Sequence, residues 1–503
     1  MSSPSDAAEL VAETTGSRVR DGRGVARNFV FLVAGQLATA ALSLGVTAML
    51  ARHLGAQDYG VFYLAATLVQ SAFVLADLGQ QYYVVGRIAR DPSAAAPLLG
   101  TGLALRLLGA LVLWPLLAGL ALVLDYPEAT RVAIALTVVF VLASSIGDSV
   151  TIVLRGLERM DIGAVTSVAA KLLIAVAIAV AVISTGGLRA VLIAQILGSL
   201  AAVGVYWLAL RRLHIAPPRV SWPAAVSLLS GGAPFLLWAV AVHLQPGVDA
   251  LLLSVLAPPS VIGWYAAASK LMGLLIFPAT ILATALYPTL ARLQAERAAA
   301  YGDLMTAALR VMVLLGILSM AGTYLFADTA VGLVYGSAAF APAASCLRVL
   351  ALYLLVAFVD VTLGAAIMAG TAPTRWIVAK LATVLVAAGL SVVLIPLTQS
   401  TLGNGGIGCA AAVVAAEVVM LITALRLVPL DSLTLVSGLS KNLGLGGIAA
   451  LVMAGTAWML RDSNPLGGMT ISVGAYLATV YLLGAIRRED LRFMRDALRD
   501  GRA

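Results

Sequence analysis

Apolar runs long enough to cross a bilayer alternate with short polar breaks along almost the whole chain. A hydrocarbon core about 30 Å thick takes roughly 20 residues of helix, and no water inside it can satisfy a free backbone group. Cutting the pattern on that basis predicts fourteen membrane helices. They begin near Asn28, Gly60, Pro97, Ala129, Ile162, Leu188, Ala224, Ser260, Leu304, Ala343, Pro373, Asn404, Ser437 and Leu466. The expected fold class is an all-α integral membrane protein.

The placement of cations tests that count, because one missed helix would scramble their alternation between faces. Of the 32 Lys and Arg, twenty-two fall on one side. These are Arg18, Arg20, Arg23 and Arg27; Arg87 and Arg90; Arg155 and Arg159; Arg211, Arg212 and Arg219; Arg292 and Arg297; Arg375; Arg426 and Lys441; and the six arginines from Arg487 to Arg502. Only Arg52, Arg131, Arg189 and Arg461 fall on the other. The positive-inside rule makes the rich side cytoplasmic and puts both termini there. Residues 1–27 are expected to be a disordered tail feeding a retained first helix, which is too long for a signal-peptide core. Beyond Arg487, Leu491, Met494 and Leu498 share one helical face, as in an interfacial helix, or the segment is a solvated tail.

Composition agrees with a lipid solvent: 61% of residues are hydrophobic and 11% charged, against roughly 25% charged in ordinary soluble domains. The net charge of +8 would suit nucleic acid, but the cations sit in short clusters between apolar runs, where they meet lipid headgroups, so nucleic acid is not an expected partner. Two cysteines, Cys346 and Cys409, cannot carry a disulfide scaffold or a multi-cysteine zinc site. No metal or cofactor is implied. Arg far outnumbers Lys, and with abundant Ala, Gly, Leu and Val the composition resembles that of a high-GC bacterial genome, so the expected location is a bacterial cytoplasmic membrane. All loops are short, leaving no separate soluble domain on either face.

Transporters are often built from repeated bundles, and the halves of this chain share a pattern. Gly45-Val46-Thr47-Ala48-Met49-Leu50 in the first helix parallels Gly247-Val248-Asp249-Ala250-Leu251-Leu252 in the seventh, and Gly60-Val61-Phe62 parallels Gly263-Trp264-Tyr265 at the start of the next helix. The basic, Pro-containing stretch 212–223 then separates an N-lobe over 28–211 from a C-lobe over 224–428, followed by two helices over 437–486 and a cytoplasmic tail over 487–503. The run from Arg52 through Gly55, Asp58, Tyr59 and Gly60 to Phe62, followed by Asp77-Leu78-Gly79 and Arg87, resembles the polysaccharide transporter branch of the multidrug/oligosaccharidyl-lipid/polysaccharide flippase superfamily. Arg155-Gly156-Leu157-Glu158-Arg159, Gly263-Trp264-Tyr265 through Lys270, Tyr287-Pro288-Thr289-Leu290, and Gly405-Gly406-Ile407-Gly408 with Glu417 are similar to later parts of that family. Gln80 and Gln81 depart from the apolar residues expected after Gly79. The first motif reads physically as a helix-turn-helix corner, Gly55 and Gly60 supplying backbone freedom and Tyr59 and Phe62 suiting the interface.

The resemblance implies two pseudo-equivalent six-helix lobes around a central cavity, two further C-terminal helices, and alternating access. Its implied cargo is a polyprenyl-diphosphate-linked oligosaccharide, moved from the cytoplasmic to the outer leaflet in cell-surface polysaccharide biosynthesis. Implied partners are membrane lipids and a glycan polymerase or glycosyltransferases of the same pathway.

A charge inside a spanning helix costs at least about 2.5 kcal/mol and marks a functional candidate. Arg106 and Lys171 each lie about nine residues from the cytoplasmic end of their helices, roughly 14 Å deep. With Lys270 they are expected to face a common cavity and, given the implied cargo, to hold its diphosphate through charge-assisted hydrogen bonds, with Arg52 at the outer mouth. The competing reading is structural: Asp148 pairs with Arg106 or Lys171, and Asp249 with Lys270. Asp77, Asp148, Asp249, Asp360 and Glu417 are accordingly candidates for salt bridges or for coupling to an ion. Pro234 and Pro246 in the long seventh helix and Pro278 in the eighth are either hinges or static kinks.

An enzyme is not expected. A membrane glycosyltransferase or polymerase needs acids or histidines in a sizeable outer loop, and His53, His214 and His243 are scattered. Gly403-Asn404-Gly405-Gly406-Ile407-Gly408 fits G-x-G-x-x-G but opens a spanning helix instead of following a strand. The nearer rival is an ion-coupled multidrug exporter of the same fold, for which Asp249, Asp360 and Glu417 would form the acid cluster.

Overall fold

The computed structural model describes residues 4–296, 300–336, 338–370, 373–428 and 432–485, with side chains from residue 34 onward except 82, 288 and 432–439. The amphipathic segment expected beyond Arg487 lies outside them. Among the described residues thirteen helical stretches are long and apolar enough to cross a membrane. The first belongs to α1 (Pro4–Asp77), which turns at Gly55 (φ 72°, ψ 175°) and at once resumes as helix. Its two arms are the first and second expected spans, which brings the passes to fourteen. The expected corner is thus two helices that meet at a single non-helical residue, Gly55. Gly55 alone takes the left-handed φ that glycine tolerates, whereas Gly60 lies within the helix. Because α1 starts at Pro4, residues 4–27 continue the helix in place of the expected disordered tail. Residues 7–13, rich in Ala and Glu, are strong helix formers.

Leu78 (φ 53°) and Gly79 (φ 69°) end α1 and turn the chain into α2 (Gln80–Arg90). This short amphipathic helix buries Val84 and Ile88 and exposes Arg87 and Arg90. Just beyond it, hydrogen bonds from the Ser93 hydroxyl and N–H hold the Asp91 carboxyl below its ordinary range, with Arg87 adding to the effect. The first half continues through α3 (Ala95–Val123), α4 (Glu128–Gly156), α5 (Met160–Ile183) and α6 (Leu188–Arg212). The second half runs through α7 (Trp222–Leu256), α8 (Pro259–Leu275), α9 (Phe277–Ala295), α10 (Ala300–Leu325), the short α11 (Ala327–Tyr335), α12 (Ala343–Ala369), α13 (Pro373–Leu402) and α14 (Gly405–Leu427). The eighth span is broken at Ile276, with Pro278 in the first turn of α9, where its missing N–H is not needed.

The packing repeats. Contacts of α5 with α6, α4 with α6, α3 with α4 and α1 with α5 are matched by α13 with α14, α12 with α14, α10 with α12 and α7 with α13. The first and seventh spans thus hold equivalent places in two pseudo-equivalent lobes. Outside the second lobe, α15 (Ser432–Met459) lies on α10 and α16 (Pro465–Leu482) on α15, and the Tyr476 hydroxyl donates to the Leu314 carbonyl at 2.7 Å. Leu111, Leu116, Val123, Val393 and Leu451 are exposed where lipid replaces water. Between helices small residues dominate, as at Ala266, Ala267 and Ala268 in α8, all fully buried; without a hydrophobic drive in lipid, close backbone approach holds helices together. The face carrying the α6–α7 connection, expected to be cytoplasmic, is called inner below.

Candidate functional site

The lobes meet along α1 against α7 and α8 and enclose a cavity of about 770 Å³ walled by both arms of α1, by α5 and α6, and by α7, α8, α13 and α14. At its outer end α1 and α8 touch backbone to backbone. A Cβ on Gly60 would lie 2.1 Å from the Pro259 carbonyl oxygen, and one on Gly263 would lie 2.0 Å from that of Ala56. These are the two glycines that the internal repeat makes equivalent, so each lobe brings the same bare position to the seam. The Tyr59 ring closes this end, 6.2 Å from Phe62 and edge-on to Phe340 at 5.8 Å.

Arg52 does not line the cavity. From α1 it reaches across the seam to the last turn of α11, its Nε donating to the Val334 carbonyl at 2.9 Å and its Nη2 to Leu333 at 2.6 Å. A cation there satisfies carbonyls that have no helical partner and meets the negative end of the helix dipole. Trp264 ties the following turn to α8 by donating to the Ala339 carbonyl at 2.7 Å.

Inside the cavity Lys171 of α5 and Lys270 of α8 face the same space from opposite lobes, both exposed to it. Among the described residues neither forms an ion pair. The expected Asp249–Lys270 pair is absent because the Asp249 carboxylate is buried within the wall, where it accepts from Gln245 Nε2 at 2.6 Å and from the Tyr265 hydroxyl at 3.0 Å. Lys380 also lines the cavity, but pairs with Glu417 at 3.2 Å. Asp360 lies behind, buried beside Glu417, with its Oδ1 left without a partner.

A second chamber of about 390 Å³ shares Thr67, Gln70 and Pro246 with the first and extends toward the inner face. Arg106 belongs to this chamber, not to the main cavity. Its buried guanidinium is ion-paired with Asp77 and donates to the Ser149 hydroxyl and, at 2.9 Å, to the Ser145 carbonyl. Asp148, the partner expected for it, stays open to the chamber. The choice follows from helix approach: a Cβ on Gly109 of α3 would lie 2.5 Å from the Ala76 Cβ of α1, so the adjoining Asp77 is brought within reach of Arg106. On the inner side the Leu78-Gly79 turn seals against α7, a Cβ on Gly232 falling 2.3 Å from the Leu78 carbonyl oxygen. Pro234 and Pro246 both lie inside the continuous α7, and Pro246 lines both spaces.

Sequence reasoning placed Lys171 and Lys270 together but passed over Lys380 as a site residue and missed Gln70, Gln195, Gln245, Tyr63, Tyr265 and Tyr353 in the lining. The three glutamines carried a usable signal, since a neutral polar side chain in an apolar run is also costly in lipid, though less so than a charge. The tyrosines did not, because the same residue type serves interfaces and packing.

The family model for polysaccharide biosynthesis proteins matches residues 25–294. Sequence comparison with curated proteins finds no match. In structure the chain is similar to the lipid II flippase MurJ in an inward closed conformation, 14% identical with a TM-score of 0.66 over 90% of this chain and 98% of that one. It is similar to a multidrug resistance MATE family transporter of the MOP superfamily in an inward-facing conformation, 16% identical with a TM-score of 0.58 over 82% and 96% of the two chains. It is also similar to a MOP superfamily transporter from Pyrococcus furiosus, 16% identical with a TM-score of 0.55 over 84% and 96%. At these identities the likeness is one of fold.

Proposed function

The chain belongs to the polysaccharide biosynthesis protein family, whose model covers more than half of it, and from that premise we propose that it carries a polyprenyl-diphosphate-linked oligosaccharide from the inner to the outer leaflet by alternating access of its two lobes. The observation that carries this reading is the unpaired couple Lys171 and Lys270, one from each lobe, facing one cavity. Two ammonium groups held at membrane depth without an ion-pair partner among the described residues call for an anion as guest, and a diphosphate meets them through charge-assisted hydrogen bonds that strengthen as water is excluded. Because the two lysines sit on different lobes, a bound diphosphate would bridge the parts that must move relative to each other. The protein then works in a bacterial cytoplasmic membrane with both termini inside, alongside the glycosyltransferases or polymerase that make and use its cargo. No bond is made or broken in this cycle.

A second reading, ion-coupled export of small amphipathic drugs, is favoured by one observation, the buried Asp360 with a free oxygen beside Glu417 and Lys380. One reconstitution separates the two. Liposomes containing the protein are followed for leaflet exchange of lipid-linked oligosaccharide and for uptake of a cationic dye, each with and without a sodium or proton gradient. Oligosaccharide exchange without dye transport supports the flippase, and the reverse supports the exporter.

A further inference from the structure

Five polar side chains that the diphosphate reading leaves unused face the smaller chamber. Gln70, Gln81, Asp148, Arg155 and His243 all line it, and among the described residues none of these side chains has a hydrogen-bond or ion-pair partner within the protein. Gln70, Asp148 and His243 lie within spanning helices, where polar groups left open are costly unless they serve a polar guest, whereas Gln81 and Arg155 close the chamber at the inner face. The chamber is balanced in formal charge, with Arg106 and Arg155 set against Asp77 and Asp148. The main cavity, by contrast, sets Lys171, Lys270 and Lys380 against Asp249 and Glu417, an excess of one positive charge. An anion is therefore drawn to the main cavity and has no electrostatic reason to prefer the chamber.

An uncharged, hydroxyl-rich guest does have a reason. Each sugar hydroxyl both donates and accepts, so it can donate to the Asp148 carboxylate while accepting from Arg155 or from a Gln70 or Gln81 amide. The chamber's 390 Å³ falls in the range of about 300 to 1,000 Å³ usual for small-molecule sites. Its shared wall at Thr67, Gln70 and Pro246 lets one molecule occupy both spaces. Resting on the flippase reading, we propose that the smaller chamber is a glycan subsite: it takes the lipid-proximal, uncharged hexosyl ring of the cargo while Lys171 and Lys270 hold the diphosphate.

The test measures binding of undecaprenyl diphosphate and of undecaprenyl-diphosphate-linked glucose to the full chain in nanodiscs, for the wild type and for Asp148→Asn, Gln81→Ala and Lys171→Gln. Wild type should bind the glucosylated lipid about tenfold more tightly, the effect of added hydrogen bonds to a charged group. Gln81→Ala should erase that advantage and leave bare diphosphate binding unchanged, Asp148→Asn should erase it with bare diphosphate bound at least as tightly as by the wild type because a carboxylate acting on Lys171 is neutralised, and Lys171→Gln should weaken both lipids. Gln81 is exposed at the start of α2, so it keeps the test readable if Asp148→Asn folds poorly. Equal binding of the two lipids by the wild type, or chamber variants that keep the glucose advantage, would overturn the subsite alone. Failure of the wild type to bind undecaprenyl diphosphate at all would remove the flippase reading beneath it.

Discussion

Arg106 shows how a correct sequence inference about depth can still give the wrong role. Its position in the third span marked it as an intramembrane cation, but nothing in spacing could reveal that α1 ends against α3 and supplies Asp77 as its partner. Lys171, equally deep by the same count, forms no ion pair among the described residues: Asp148 acts on it electrostatically without pairing with it. The two residues should therefore respond differently to loss of charge. Arg106→Gln leaves Asp77 without its cation. Breaking a buried pair costs about 3–5 kcal/mol, and since the Asp77 side chain keeps 24% exposure the lower end, about 3 kcal/mol, is expected. Thermal or denaturant unfolding in detergent should show that drop for Arg106→Gln, and partial recovery when Asp77→Asn is added. Unchanged stability with lost transport would instead return Arg106 to the cargo site.

The elements were legible where lipid dictates them. Among the described residues the fourteen apolar runs correspond to thirteen long apolar helices, the first of which Gly55 divides into two arms, and the Gly60/Gly263 repeat became the contact between the lobes at the outer end. What hydropathy could not announce are the pieces that lie along the faces: α2, with too few apolar residues to register as a run, and α11, whose C-terminal carbonyls receive Arg52. These pieces and the bare glycines form two seals, and the seals predict opposite effects. Gly263→Ala would drive a Cβ into the Ala56 carbonyl, and Gly232→Ala would drive one into Leu78. Backbone cannot yield as a flexible side chain does, so each substitution penalises the state closed at its own face. A penalty of about 1.4 kcal/mol shifts such an equilibrium about tenfold. In a background with Cys346 and Cys409 replaced, a cysteine at the cavity position Thr47 should react faster with an impermeant maleimide from outside in Gly263→Ala, and from inside in Gly232→Ala. Arg52→Gln, which loses two hydrogen bonds across the outer seam, should act in the same direction as Gly263→Ala. Equal labelling from both sides in all three variants would mean that these contacts are not gates.

At the scale of the whole molecule the account rests on orientation and on cargo. Orientation came from loop charge, which the fold itself does not report. Single cysteines at Ser184 and Ser432 in the cysteine-free background should be labelled from outside only and from inside only, respectively, and the reverse pattern would invert every statement about inner and outer faces. The identity of the cargo was less legible, because it depends on which charges remain unpaired once helices pack, and packing partners are separated by long stretches of sequence. The most direct measurement is leaflet exchange of a reconstituted polyprenyl-diphosphate-linked oligosaccharide by the wild type, Lys171→Gln and Lys270→Gln, with melting temperature recorded for each. Losing a charge-assisted hydrogen bond worth about 1.5–3 kcal/mol should slow exchange by about tenfold or more in both variants while the melting temperature stays at the wild-type value. Full exchange by both variants at unchanged stability would contradict the diphosphate site and the flippase cycle built on it.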